Sequence, residues 1–430
     1  MRVLWFIDKP LPAVTRRQGI PPIHHASWQD QLEVALRDAP GLTLGVAALT
    51  IQEYVPYEPF VSANTVYYGI GSGSHSTRFE RVAERWQALI RADDDLEGAR
   101  RVIAEFRPDL VHVHGTENVF GLLAGQIPTP VVISIQGVLS VCELMDSRGI
   151  DTSLLLSLSP GLFVRGTGTI LHPLALKRAA MRERQIIRQC RHFIGRTRWD
   201  ADVVRVLNPS ARYSHCDEPL RPEFRNAIWD QDLAEPQTVY CTMGGYALKG
   251  LGTLLRAIAL LRNGPAPEVR LRFAGMSLGA SEGGRAAARE IQRLGLSGCV
   301  ASTGTLGPDG LTRELLRASV FALPSHIDNG SNSLSEAMTV GTPCVASAAG
   351  GIPTTARDGI EALLVQDGDP YALAGAILRL LEDRQLACRL SDNARKTALK
   401  RHDPDTVRDT MLGIYRTILD NAGAAPGEGQ

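Results

Sequence analysis

The sequence predicts an α/β chain of two doubly wound, Rossmann-like domains facing each other across a cleft. Three observations lead there: a length of 430 residues, short apolar runs that alternate with helical patterns from end to end, and a Pro- and charge-rich stretch between two such series. A chain this long exceeds one ordinary core and suits two domains of about 200 residues each. Strand–helix alternation argues for βαβ units and parallel sheets. The expected division is a first domain over 1–217, a linker over 218–236 and a second domain over 237–400, with a final helical pattern, Asp405–Leu419, able to pack back onto the first.

In the first half the strand candidates are Val3–Ile7, Leu44–Ala48, Leu110–Val113, Val131–Ile135 and His192–Gly195. Amphipathic segments such as Trp28–Arg37 and Asp95–Phe106 lie between them. The stretch Thr50–Gly73, rich in Tyr, Pro and Gly, reads as a long loop or short hairpin. The second half offers strands at Thr238–Thr242, Val269–Ala274, Val300–Thr303, Val320–Leu323, Pro343–Ala346 and Ala362–Val365. Helical patterns fill the gaps: Leu251–Arg262, Gly283–Leu294, Leu311–Ala318, Leu334–Val340 and Tyr371–Asp383. Ligands of open α/β sheets sit beyond the carboxyl ends of the strands, so functional residues are expected just after them.

Composition narrows the function classes. Apolar residues make up 44% and charged residues 21%, the balance of a packed globular protein. Lys+Arg and Asp+Glu both number 46, so no global basic field draws in nucleic acid and an anionic ligand must be bound locally. The seven cysteines form no C-x-x-C pair, which argues against a disulfide framework or a zinc site. Asp8 and Lys9 interrupt the first apolar run too early for a signal-peptide core, so a cytoplasmic setting is expected. Lys177, Arg178, Arg182, Arg184, Arg188 and Arg191 form a basic helical stretch, 177–191, a solvated face or a peripheral contact with anionic lipid on the inner face of the membrane.

The segment carrying most chemistry follows Val320–Leu323: Pro324-Ser325-His326-Ile327-Asp328-Asn329-Gly330-Ser331-Asn332-Ser333-Leu334-Ser335-Glu336. It reads as a strand, a polar loop of small side chains and a helix start. Small residues let the backbone approach a ligand, and first-turn amides with the helix dipole favour an anion. Asp328 and Glu336, with seven residues between them and expected before the helix and in its first turn, put sugar-hydroxyl acceptors on either side of that anion. Ser333-x-x-Glu336 also spells a capping box, a purely structural use of the same glutamate. Asp93-Asp94-Asp95 reads as an acidic helix start rather than a metal-binding D-x-D, because no strand precedes it.

This segment resembles the E-x7-E signature of glycosyltransferase family 4 (group 1), the retaining GT-B enzymes, with Asp328 in place of the first Glu. Gly341-Thr342-Pro343, Gly350-Gly351, Asp358-Gly359, Ala362–Val365 and Asp369 continue the pattern downstream, and Lys249-Gly250 and Phe273-Ala274-Gly275 continue it upstream. The resemblance is strongest over 238–385 and traceable at Pro108–Gly115 and Val131–Gly137. It implies a hexosyl transfer from a UDP-, GDP- or ADP-sugar to a hydroxyl acceptor in polysaccharide, glycoconjugate or specialised-metabolite biosynthesis, without metal or other cofactor. It further implies that Glu336 binds the donor ribose and Asp328 faces the transferred sugar. Lys249 and the amides near Asn332 and Ser333 would hold the diphosphate, Gly250, Asn329, Gly330, Ser331 and Leu334 would belong to the same donor site, and Gly275 and Thr303 to Leu306 would flank the base. His114 and Gln136 fall on the acceptor side.

Three positions depart from the family pattern. Asp328 is one methylene shorter than Glu. Gly244 stands where relatives often carry an arginine. Gln136 stands where many have histidine, and an amide can hydrogen-bond a hydroxyl without acting as a base. Arg196, following His192–Gly195, is the candidate to supply the missing cation from the opposite domain. The alternatives are a GT-B nucleotide-sugar epimerase or hydrolase, and a non-catalytic nucleotide-sugar-binding protein.

Overall fold

The computed structural model describes residues 1–19, 27–49, 57–70, 93–145, 171–243, 247–279 and 281–423. The positions Gly244 and His24–His25 lie outside them. Two sheets carry the architecture. The first comprises β1 (Arg2–Ile7), β2 (Thr43–Leu49), β3 (Phe60–Ser62), β4 (Thr65–Ile70), β5 (Leu110–His114), β6 (Val131–Ser134), β7 (His192–Gly195) and β8 (Arg212–His215), in the order β3-β4-β2-β1-β5-β6-β7-β8. The second comprises β9 (Thr238–Thr242), β10 (Arg270–Ala274), β11 (Val300–Gly304), β12 (Val320–Leu323), β13 (Cys344–Ser347) and β14 (Leu363–Val365), in the order β11-β10-β9-β12-β13-β14. Every pairing is parallel except β3 with β4. The strand order reverses beside β1 in the first sheet and beside β9 in the second. Those switch points, β1/β5 and β9/β12, are where such sheets hold ligands.

Fully buried strands explain the near-continuous apolar runs. All four residues of β6, β12 and β13 are buried, and β5 carries two histidines inside with it. His112 is accommodated because both ring nitrogens find hydroxyls, Tyr415 (2.6 Å) and Ser134 (2.7 Å). Tyr415 also accepts from Trp5 Nε1 at 3.0 Å. It belongs to the last helix, Pro404–Gly423, whose Val407, Met411, Leu412, Tyr415 and Ile418 form one apolar stripe packed with Val3, Trp5 and Leu36 of the first sheet's core. The preceding helix, Arg384–Arg401, instead packs Ala394 and Ala398 into the second sheet's core. The chain thus crosses from one sheet to the other near His402.

The stretch read as a loop or short hairpin, Thr50–Gly73, holds the antiparallel hairpin β3–β4, and β4 is in addition a full sheet member beside β2; 50–56 and 71–73 lie outside the described residues. Two places differ from the sequence expectation. β8, Arg-Tyr-Ser-His, is a half-exposed edge strand with no apolar run to announce it. The stretch 218–236 is no solvated tether: it contains the helix Pro222–Asn226, and Phe224 and Trp229 are buried in the second core. No helix among the described residues is long and apolar enough to cross a membrane.

Three histidines are held neutral by burial: His112, lowered to about 3, His402, lowered to about 4, and His114, shifted the same way. Unfolded histidines take a proton near 6.5. The unfolded chain therefore binds more protons between the folded and unfolded values, and the stability these groups contribute above pH 6.5 is lost as pH falls. Urea unfolding at pH 5 and 7 should show His402→Gln to be less acid-sensitive than wild type by roughly 1.4 kcal/mol per pH unit across that window.

Candidate active site at the junction of the two sheets

The loop after β12 is clamped from two sides. His326 N–H bonds the Leu248 carbonyl at 2.8 Å, and Gly351 N–H bonds the Asp328 carbonyl at 2.9 Å. A β-carbon on Gly250 would lie 1.8 Å from the Pro324 carbonyl oxygen, and its φ of +72° is left-handed; only glycine lets the Lys249 turn come this close. The consequence is an ion pair across the switch point, Lys249 Nζ to Asp328 Oδ2 at 2.7 Å, with Ser325 Oγ at 3.4 Å from the same oxygen. Lys249 is 35% exposed and Asp328 14%, so the pair opens to the crevice.

The helix Asn332–Val340 starts at N-cap Ser331, whose side chain makes no capping bond. The Ser333–Glu336 capping box does not form. Glu336 lies one turn deeper than the first turn expected for it, and its partner is Arg221, Nη2 to Oε1 at 2.7 Å, both side chains about 10% exposed. Burial raises the Glu336 carboxyl above its ordinary range, and the guanidinium pulls it back. With the box absent, no side chain among the described residues competes with a ligand for the amides of Asn332, Ser333 and Leu334 at this helix start, while the Leu334 side chain is in the core.

Arg196 arrives from the other sheet, just beyond β7. Its Nη1 donates to Glu218 Oε2 (2.5 Å) and to Asn332 Oδ1 (2.9 Å), and its guanidinium carbon lies 3.3 Å from where a β-carbon on Gly330 would stand. Glu218 also accepts from Gln136 and Asn332, and burial pushes its carboxyl up against those donors. Beside this hub Thr197 Oγ1 donates to Asn329 Oδ1 at 2.7 Å, and Asn329 Nδ2 donates to Asp200 Oδ2 at 2.9 Å and to the Ile135 carbonyl at 3.4 Å. Thr197 and Asp200 form the capping box of helix Arg198–Leu207, so one motif starts a helix and docks the opposite loop.

The remaining candidates separate. Gly275 N–H bonds the Gly304 carbonyl at 2.7 Å, bringing the ends of β10 and β11 together, with Thr303 half-buried there and Leu306 packed on the second core. His114 is buried, stacked on His112, edged by Trp5 and beside a tilted Trp28, and among the described residues neither ring nitrogen has a partner. Of the basic stretch, Arg184 pairs with Glu143 and Arg182 donates to the Glu117 carbonyl, so 177–191 is not one solvated face. A cavity of about 650 Å³ lies elsewhere, under helices Arg384–Arg401 and Pro404–Gly423; two of its cations, Arg357 and Arg401, are already paired with Glu361 and Asp217.

Residues 237–383 match the family described as Glycosyl transferases group 1. Residues 237–383 are a group 1 glycosyltransferase domain. One relative is the D-inositol 3-phosphate glycosyltransferase of Acidothermus cellulolyticus, 35% identical over 177 residues; the match covers 40% of this chain and 39% of that protein's length. Among solved structures, sucrose-phosphate synthase from Thermosynechococcus elongatus is similar over 98% of this chain and 100% of its own, with a TM-score of 0.71 at 18% identity. Anabaena Alr3699/HepE in complex with UDP-glucose is similar over 97% of this chain and 100% of its own, with a TM-score of 0.64 at 15% identity. The fold is therefore GT-B, and the group 1 domain coincides with the second sheet and the Asp328 loop. Arg221 and Glu218 precede the matched segment and were hidden in the stretch read as linker; a lone arginine among prolines and acids gives no motif to find.

Removing one partner of a buried ion pair strands the other charge. Arg221→Ala should cost about 3–5 kcal/mol in urea unfolding, and Arg221→Ala with Glu336→Gln should recover more than half of it.

Proposed function

We propose that the protein is a retaining glycosyltransferase that moves a hexosyl group from a UDP-, GDP- or ADP-sugar to a hydroxyl acceptor, with no metal cofactor. The observation that carries this reading is the helix start at Ser331–Asn332, bare of side-chain caps, standing at the β9/β12 switch point beside Lys249. Such a start offers amide donors and a favourable dipole to a diphosphate. The group 1 match over the same residues and the UDP-glucose held by a protein of the same fold support the donor class.

On this reading Lys249 leaves Asp328 for the leaving diphosphate, and Arg196, already against Gly330, adds charge from the opposite wall. Fixed positive charge where negative charge develops is the largest catalytic need. Asp328 then faces the transferred sugar. Glu336, held by Arg221, takes the ribose hydroxyls, and the Gly275 and Thr303–Leu306 edge flanks the base. Retention of configuration and metal independence rest on the resemblance to family 4.

Thermal shift with UDP, GDP, ADP and their sugars tests the donor. One nucleotide should stabilise the wild type, by about 2.7 kcal/mol at a hundred times its dissociation constant. Lys249→Ala should weaken that shift and lower transfer about a hundredfold. A protein stabilised by none of the nucleotides would end the proposal; free sugar formed at the full rate without an acceptor would make it a hydrolase.

A peripheral membrane contact is a second proposal, favoured by Lys177, Arg178, Arg188 and Arg191 being exposed together with Leu174 and Met181. Pelleting with anionic vesicles should occur at low salt and disappear at high salt, since each basic residue near such a surface contributes about 1 kcal/mol. Pelleting with neutral vesicles alone would contradict it.

A further inference from the structure

Glu117 stands outside every role assigned above. It follows β5 at the first sheet's switch point and is exposed to the crevice. Its carboxylate lies across two glycines: a β-carbon on Gly115 would be 2.0 Å from Oε2, and one on Gly137 would be 3.5 Å from Oε1. Two residues before Gly137, the Ile135 carbonyl receives Asn329 of the Asp328 loop. The half-buried Cys142 thiol lies within electrostatic reach of Glu117 and Glu183 on one side and of Asp328 and Lys249 on the other. Among the described residues no ion pair engages the Glu117 carboxylate; Arg182 donates to its backbone carbonyl at 2.5 Å. Glu183, by contrast, is fully used, accepting from Thr116 Oγ1 and from the amides of Leu139 and Ser140.

We propose that Glu117 binds the acceptor, accepting hydrogen bonds from hydroxyls of a neutral polyol and disfavouring a phosphorylated group at the same place. This rests on the glycosyltransferase reading and names its acceptor class. A carboxylate with spare lone pairs suits a diol. Asp8 and Glu183 add like charge, which repels a phosphate monoester. The surrounding protein pushes the Glu117 carboxyl up to about 7, while water still reaches it from the crevice. The charged groups facing it are Asp8 beyond β1 and Glu183 and Arg182 on helix Leu171–Gln189.

The test uses the full chain and whichever nucleotide-sugar shifts the wild type most. Release of nucleoside diphosphate is followed with D-glucose, myo-inositol, glycerol and the monophosphates of the first two. In Glu117→Gln the acceptor KM for the preferred neutral polyol should rise at least tenfold, with the donor KM and nucleotide thermal shift within twofold of wild type. The preference for neutral over phosphorylated acceptor should shrink. Wild-type efficiency toward the polyol should rise through pH 7 as the carboxylate ionises, and the variant should lose that rise. Unchanged acceptor KM and pH profile, no polyol-dependent release by a wild type that binds nucleotide, or a wild type preferring the phosphorylated acceptor would overturn this inference and leave the donor reading standing. No nucleotide binding at all would remove both.

Discussion

The buried polar seam between the two sheets is the constraint on which the site depends. Arg196 reaches Glu218 and Asn332, while Thr197 and Asp200 hold Asn329 between them. Apart from Arg196–Glu218, each contact joins a residue just past β7 of the first sheet to the loop and helix start past β12 of the second. The seam thereby turns two carboxyl-end surfaces toward one another and fixes their separation at side-chain length. Apolar packing at this place would be non-directional. Hydrogen bonds from a planar guanidinium and an amide specify an orientation as well as an attraction.

Cost explains why the buried carboxylates here are paired. Glu218 and Glu336 are both buried with their carboxyls raised, so each would be expensive as a lone charge. Each is met by one arginine, Arg196 and Arg221, and Glu218 by two amides besides. A diphosphate reaching the helix start would compete for Arg196 and loosen its hold on Glu218 and Asn332. On the proposed reading, ligand binding and the closeness of the sheets would be coupled through that one side chain, whose donors hold Glu218 and Asn332.

Sequence legibility followed burial. The β12 run Val320–Leu323 and the polar loop after it could be read because a parallel strand buried on both faces leaves four apolar residues in a row, and because an anion-binding helix start demands small residues. β8 could not, since an edge strand of Arg, Tyr, Ser and His has no such run. Glu336 was found for its spacing, but its partner was not: Arg221 is 115 positions away, and no local pattern encodes a pairing made by the fold. The glycine of Lys249-Gly250 was visible as a motif, while its reason, the Pro324 carbonyl, is visible only in three dimensions. Glu117 was passed over because a single glutamate in a loop is indistinguishable from a solvated one.

The two walls of the crevice are unlike in charge, and this follows from what each strand end carries. On the second sheet, Lys249 pairs with Asp328 beside an uncapped helix start, and Arg196, delivered by the seam, pairs with Glu218 and reaches Asn332. On the first, Asp8 and Glu117 stand beyond adjacent strands β1 and β5, with Glu183 behind them tied to the amides of Leu139 and Ser140. A chain of zero formal net charge has thus separated its charges locally. An anionic group entering the crevice is drawn to one wall and repelled from the other over distances shorter than the screening length of ~8 Å at physiological salt. On the proposed reading, the diphosphate is held at the second sheet's helix start and the acceptor's hydroxyls at the first sheet's wall.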